Sequence, residues 1–171
     1  MTKVIVTSGD ITKVRVEAIV TLINPNGLWF GGIDRAITGV AGSQYHSQIG
    51  TPLRDGQVIV ASGNRAWHKG DFNDVVFVVD DLLSPLSDLV FLALQASKKE
   101  EYVSVAMPLF RTGVMLGKVE PDVETVAEQM VIGIEAFLAE NTPPPSDIYL
   151  VIYNNPQAEE MLRAWPWGGK K

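Results

Sequence analysis

Three glycine-bearing segments carry residue types that could bind or act on a small anionic ligand. In Ser8-Gly9-Asp10-Ile11-Thr12 an aspartate stands beside a main-chain N–H, a pairing that can accept from an exocyclic amine and donate to a ring nitrogen. The same residues fit a plain turn, with Gly9 giving the backbone freedom and Asp10 bonding a nearby amide. The second segment runs from Asn24 to Asp34 and contains Gly31-Gly32 just ahead of a helical pattern. Glycines there let backbone amides reach phosphate oxygens, and the helix dipole favours the anion. Asn24 can bond a hydroxyl, while Asp34 also fits the ordinary role of an acid complementing the dipole. The third segment, Pro108 to Gly117, is another glycine-containing loop placed after a strand.

Several chemistries are excluded by what the chain lacks. Gly31-Gly32 lacks the spacing of the dinucleotide fingerprint Gly-x-Gly-x-x-Gly. Between Gly113 and Gly117 stand three residues where a Walker A loop has four, and Val119 follows Lys118 where Ser or Thr is required. With no cysteine there is no disulfide framework, thiolate zinc site, iron–sulfur cluster or cysteine nucleophile. His46 and His68 are the two histidines, and they read as surface or capping residues, so neither metal nor cofactor is expected. The net charge of −6 and pI near 4.9 argue against a nucleic-acid binder that works by neutralising phosphates. No apolar stretch reaches the ~18 residues that span a bilayer. The run Met1 to Asp10 is too short in apolar residues for a signal peptide, so a cytoplasmic protein is expected.

The elements that must position these loops alternate between strand and helix. Val4–Thr7, Val16–Ile23, Gln57–Ala61, Val75–Val79, Tyr102–Met107 and Ile148–Tyr153 read as strands, the second apolar on both faces. Helices are predicted over Ile33–Ala41, over Ser87–Lys99 with Ser84 or Ser87 as N-cap, over Glu120–Glu140 with Pro121 at its first position, and over Pro156–Ala164. Asp80-Asp81 reads as a solvated strand end. This order implies an α/β protein: a three-layer α/β/α sandwich around a mixed, mainly parallel central sheet, with ligands at the carboxyl ends of its strands. Residues 1–164 are expected to form a single domain. Residues 165–171 form a short tail expected to fray, with Trp165 and Trp167 docking in part.

Taken in order, the motifs are Gly-Asp-Ile-Thr, Glu-Ala-Ile-Val running to Asn24, Gly-Gly-Ile-Asp-x-Ala-Ile, and Ala-Met-Pro-x-x-x-Thr-Gly-Val. This series resembles the macro domain family, the ADP-ribose-binding α/β/α module, over roughly residues 3 to 155. Spacing from Asn24 to Gly32 is that of the hydrolase-type members, and Asp34 falls on their aspartate after the loop. The resemblance implies that Asp10 bonds the adenine amine and that the backbone at Ile11 supports the ring. Gly31, Gly32 and Ile33 on one side, and Arg111, Thr112, Gly113 and Val114 on the other, would clasp the pyrophosphate through backbone amides. Tyr153 or Asn154 would pack on the adenosine half. Asn24 and Asp34 would face the distal ribose, where any bond cleavage occurs.

Departures from the family pattern bear on which activity follows. Thr21 replaces the first asparagine of the family's strand motif, and Phe30 the first glycine of its triple. Phe110-Arg111 stands in place of small residues, and Val78-Val79-Asp80-Asp81 in place of a His-Thr-Val-Gly-Pro stretch. The expected function is binding of ADP-ribose or a close derivative, free or attached to a modified protein. The alternatives are a hydrolase acting at the distal ribose and a diverged interaction domain that has lost the pocket. As a hydrolase it would remove ADP-ribose from protein, deacetylate O-acetyl-ADP-ribose or remove a 1″-phosphate. As an interaction domain it would present Trp165, Trp167 and the Thr142–Pro145 loop. No membrane partner is expected, and the oligomeric state is not set by the sequence.

Overall fold

The computed structural model describes residues 1–27 and 32–169. Six strands form one sheet: β1 (Lys3–Ser8), β2 (Val16–Ile23), β3 (Val58–Ala61), β4 (Phe72–Val79), β5 (Ser104–Met107) and β6 (Asp147–Ile152). Their spatial order is β1-β6-β5-β2-β4-β3. Every neighbouring pair is parallel except β3 and β4, so the sheet is mixed and mainly parallel, as expected. Among the described residues, α1 (Gly32–Ala41), α2 (Leu86–Lys99) and α3 (Val123–Glu140) connect strands, and α4 (Pro156–Ala164) follows the last one.

The sheet separates two apolar cores, because successive residues of a strand point to opposite faces. On one face Ala18, Val20 and Leu22 of β2 pack with buried residues of α2, α3 and α4. On the other, Ile19 and Ile23 pack with Ile37 and Ala41 of α1 and with Tyr45 and Phe72. The strand that was apolar on both faces is therefore covered on both, which gives the three layers. Helices α2 and α3 meet closely at Gly133, where an added Cβ would come within 2.5 Å of the Ser87 carbonyl oxygen.

Three local readings are corrected by the structure. Helix α3 starts at Val123, not Glu120, because Asp122 caps it by accepting from the Thr125 N–H at 2.8 Å. Pro121 thus lies outside the helix, and Glu120 is drawn inward. Helix α2 follows Pro85 and uses neither serine as a side-chain cap. Ser84 instead donates to Asp55, while the Ser87 N–H is taken by Gln129 of α3 at 3.3 Å. The tail is docked through Gly168 rather than frayed. Trp165 Nε1 and the Gly168 N–H both donate to Glu135, and Trp167 Nε1 donates to the Leu162 carbonyl.

Candidate functional site

A cleft of about 720 Å³ opens at the carboxyl ends of the parallel strands, within the size range of small-molecule sites. The β1 loop supplies Asp10 and Ile11, and the start of α1 supplies Gly32 and Ile33. The loop after β5 supplies Arg111, Thr112 and Gly113, and the end of β6 supplies Tyr153 and Asn154. Nine of the residues singled out in the sequence thus converge on one cavity. Gly31, together with Trp29 and Phe30, lies outside the described residues, as does the side chain of Val114.

At the β1 end, Asp10 is both a cap and an open acceptor. Its Oδ1 takes the Thr12 N–H at 2.9 Å and the Thr12 hydroxyl at 2.8 Å, which closes the 3-10 turn of Ile11–Lys13. Among the described residues nothing bonds its Oδ2 or the Ile11 N–H. The plain turn and the ligand-binding reading therefore hold together, on different oxygens of one carboxylate. Gly9, at φ +120°, donates its N–H to the Ile152 carbonyl at 3.1 Å and so ties this loop to the end of β6. There Tyr153 stands 80% exposed, and Asn155 caps α4 by accepting from the Ala158 N–H.

At the opposite end, the loop after β5 shows a different construction. Arg111 lies at φ +56° and Gly113 at φ +65°. Among the described residues no hydrogen bond uses the main-chain N–H of Arg111, Thr112 or Gly113. Runs of successive unpaired amides in turn conformations are anion-binding concavities. The Arg111 side chain does not enter the cleft. Its guanidinium forks onto Asp80 through Nε and Nη2 at 2.9 and 2.8 Å, donates to Glu120 at 2.9 Å, and donates to the Ser84 carbonyl at 2.7 Å.

Asp80 is thus not a solvated strand end. It is 1% exposed, and the buried guanidinium is the reason it can sit there. Burial alone would lower the pKa of Arg111, but the bonds and charges of Asp80 and Glu120 outweigh it and raise the value.

The two residues assigned to the distal ribose are not among those that line the cleft. Asn24 turns its Oδ1 back to the Asn26 N–H at 2.9 Å. Asp34 is half-buried in the first turn of α1, where burial raises its pKa and the nearby charges of His46 and Arg35 pull it partly down. His46 Nε2 meets the Gly27 carbonyl at 2.6 Å. His68 accepts the Gly70 N–H at Nδ1 and meets the Tyr45 hydroxyl at Nε2, and burial lowers its pKa. Thr21 is fully buried in β2 with its hydroxyl unpartnered, so it cannot replace an asparagine at the ligand.

Sequence reasoning missed Arg35, Ala36 and Asn155 in the wall of the cleft, and Asp80 and Glu120 beneath it. Arg35 and Ala36 were discoverable, since they follow Gly32 at helical spacings of three and four. For Asp80 and Glu120 no short-range signal exists.

No protein-family model matches the chain. An O-acetyl-ADP-ribose deacetylase from Citrobacter koseri is 30% identical, with the match covering 88% of each chain. One from Escherichia coli K12 is 28% identical, covering 92% of each. Among solved structures, a Trypanosoma brucei macrodomain in complex with ADP-ribose aligns with a TM-score of 0.75 at 18% identity, over 93% of this chain and 68% of that one. An Oceanobacillus iheyensis macrodomain with ADP aligns with a TM-score of 0.68 at 23% identity, over 92% and 86%. At these identities the structural matches establish the α/β/α fold, and the cleft described above lies in it.

Proposed function

The chain belongs to the macro domain family, and from that premise we propose that its cleft binds ADP-ribose, free or attached to protein, in the cytoplasm. One observation carries the reading. A single cavity holds an open carboxylate oxygen beside the Ile11 N–H at Asp10–Ile11, and also the amides of Arg111 to Gly113, all unpaired among the described residues. The first pairing complements the amine and ring nitrogen of adenine; the second complements a pyrophosphate. The start of α1 at Gly32 and Ile33 adds the positive end of a helix dipole to the same cavity. An acidic chain can hold an anion this way because amides, not net charge, supply the field.

Calorimetry with ADP-ribose tests it. The expected affinity is micromolar, about −7 to −9 kcal/mol. AMP, which lacks the second phosphate and the distal ribose, should bind much more weakly. Absence of ADP-ribose binding overturns the proposal.

A second reading, hydrolysis at the distal ribose, is favoured by the relatives named O-acetyl-ADP-ribose deacetylase, which match over most of their length. Asn24 would orient a water and Asp34 would polarise it. Neither residue lines the cleft, and misplacement of about an ångström can cost roughly 100-fold in rate. Slow or undetectable turnover with binding retained is therefore expected. Robust release of acetate from O-acetyl-ADP-ribose, lost in Asp34→Ala while ADP-ribose still binds, would make the hydrolase reading the correct one.

A further inference from the structure

Arg111 is a non-glycine residue held at φ +56°, a conformation that persists only where the surroundings over-determine it. What over-determines it here is its own side chain. The guanidinium makes three contacts: Asp80 and the Ser84 carbonyl in the connection between β4 and α2, and Glu120 farther along its own connection, just ahead of α3. The side chains of Arg111 and Asp80 are 1% and 0% exposed, so the part of Arg111 that meets the cleft is its main chain. An arginine near a phosphate site ordinarily invites the reading that its charge touches the anion. Here the Arg111 fork is spent inward on two carboxylates and a carbonyl, and its guanidinium does not reach the anion.

Resting on the ADP-ribose reading above, we infer that Arg111 is the positioning residue of the pyrophosphate loop. The Asp80–Arg111–Glu120 network fixes the backbone of residues 111–113 with its amides unpaired, ready for phosphate oxygens. Planarity is what suits arginine to this, since the rigid fork sets an orientation that a lysine ammonium cannot. The network does not touch the β1 loop, where Asp10 closes its own turn. Binding of the adenine end is therefore independent of it, and this separates a positioning role from a merely structural one.

The test is a pair of titrations on Arg111→Met, calorimetry with ADP-ribose and NMR with adenosine, which carries no phosphate. At least a tenfold loss of ADP-ribose affinity with adenosine affinity unchanged is expected. Equal loss of both, or loss of neither in a folded variant, would overturn the inference. If Arg111→Met does not fold, Glu120→Ala, which leaves the Asp80 fork in place, gives the same contrast. That variant removes a negative charge beneath the loop, so charge alone would strengthen ADP-ribose binding, whereas lost positioning weakens it threefold or more. Unchanged or stronger binding in Glu120→Ala overturns the inference. Failure of the parent chain itself to bind ADP-ribose would instead overturn the reading of the cleft, and the role of Arg111 in binding with it.

Discussion

The loop after β1 closes on itself, whereas the loop after β5 is tied both to Glu120 nine residues on and to a connection about thirty residues back along the chain. Asp10 bonds Thr12, two residues away; Arg111 bonds Asp80, 31 residues away. Both loops end with unpaired main-chain donors at the cleft, but they reach that state by different routes. A local turn needs one side chain and tolerates change around it. A loop bent into an unfavourable conformation needs a network, and the network joins the β4–α2 and β5–α3 connections. The two ends of one ligand site should therefore fail differently when perturbed.

The largest effect expected is on stability, at the β5 end. Arg111→Met strands two buried carboxylates, and breaking a buried ion pair by removing one partner typically costs about 3–5 kcal/mol. For a chain of this size that corresponds to a drop in Tm of roughly 10 °C. Chemical denaturation at neutral pH reads it directly. A loss under about 1 kcal/mol would mean that the guanidinium is not the strut of this loop, on the scale at which exposed pairs contribute.

Next is Asp10→Ala, which should act on binding more than on folding. Removing an open carboxylate oxygen deletes a charge-assisted bond to the adenine amine, worth roughly 1.5–3 kcal/mol. That corresponds to a loss of about ten- to a hundredfold in ADP-ribose affinity. Loss of the cap should lower stability by only about 1 kcal/mol. If ADP-ribose binding is unchanged, adenine is not at this end, and the contrast between the two loops loses its functional meaning.

The same contrast decides what the sequence could reveal. The β1 loop, the α1 start and the strand ends were legible because each is encoded within a few residues: Gly9 beside Asp10, Gly32 at a helix opening, β-branched runs at Val16–Ile23. Asp80 was misread because its partner is 31 positions distant and nothing near it in sequence marks burial. Glu120 was misread for a related reason. Its acidic type and the following proline fit a helix start, but its carboxylate is taken by Arg111, and Asp122 makes the cap. Long-range polar pairs are set by the fold as a whole, so local pattern does not find them.

A smaller effect separates conformation from contact within the β5 loop. At Gly113, φ is +65°, and an added Cβ would meet nothing within 4 Å. Gly113→Ala therefore introduces no clash and costs only the left-handed backbone penalty, about 1–2 kcal/mol. ADP-ribose affinity should fall by no more than this if the loop keeps its shape. A much larger loss would place the ligand directly against this glycine.

The smallest effect lies in α1, which lines the same cleft as the two loops, and its sign is the informative part. Burial lifts the pKa of Asp34 above 3.8, with His46 and Arg35 opposing, so ionising Asp34 is harder in the folded chain than in the unfolded one. As pH rises past 3.8 the unfolded chain ionises first, and folding stability falls until the folded carboxyl has ionised too. Above that window, Asp34→Asn, neutral at every pH, should melt slightly higher than the parent. Near pH 3, where both side chains are neutral, the two melting temperatures should converge. A lower Tm for Asp34→Asn at neutral pH would show that the helix dipole rewards the charge by more than burial opposes it. Asp34 would then be a structural acid of α1, while the predicted increase leaves it a carboxylate kept at a stability cost.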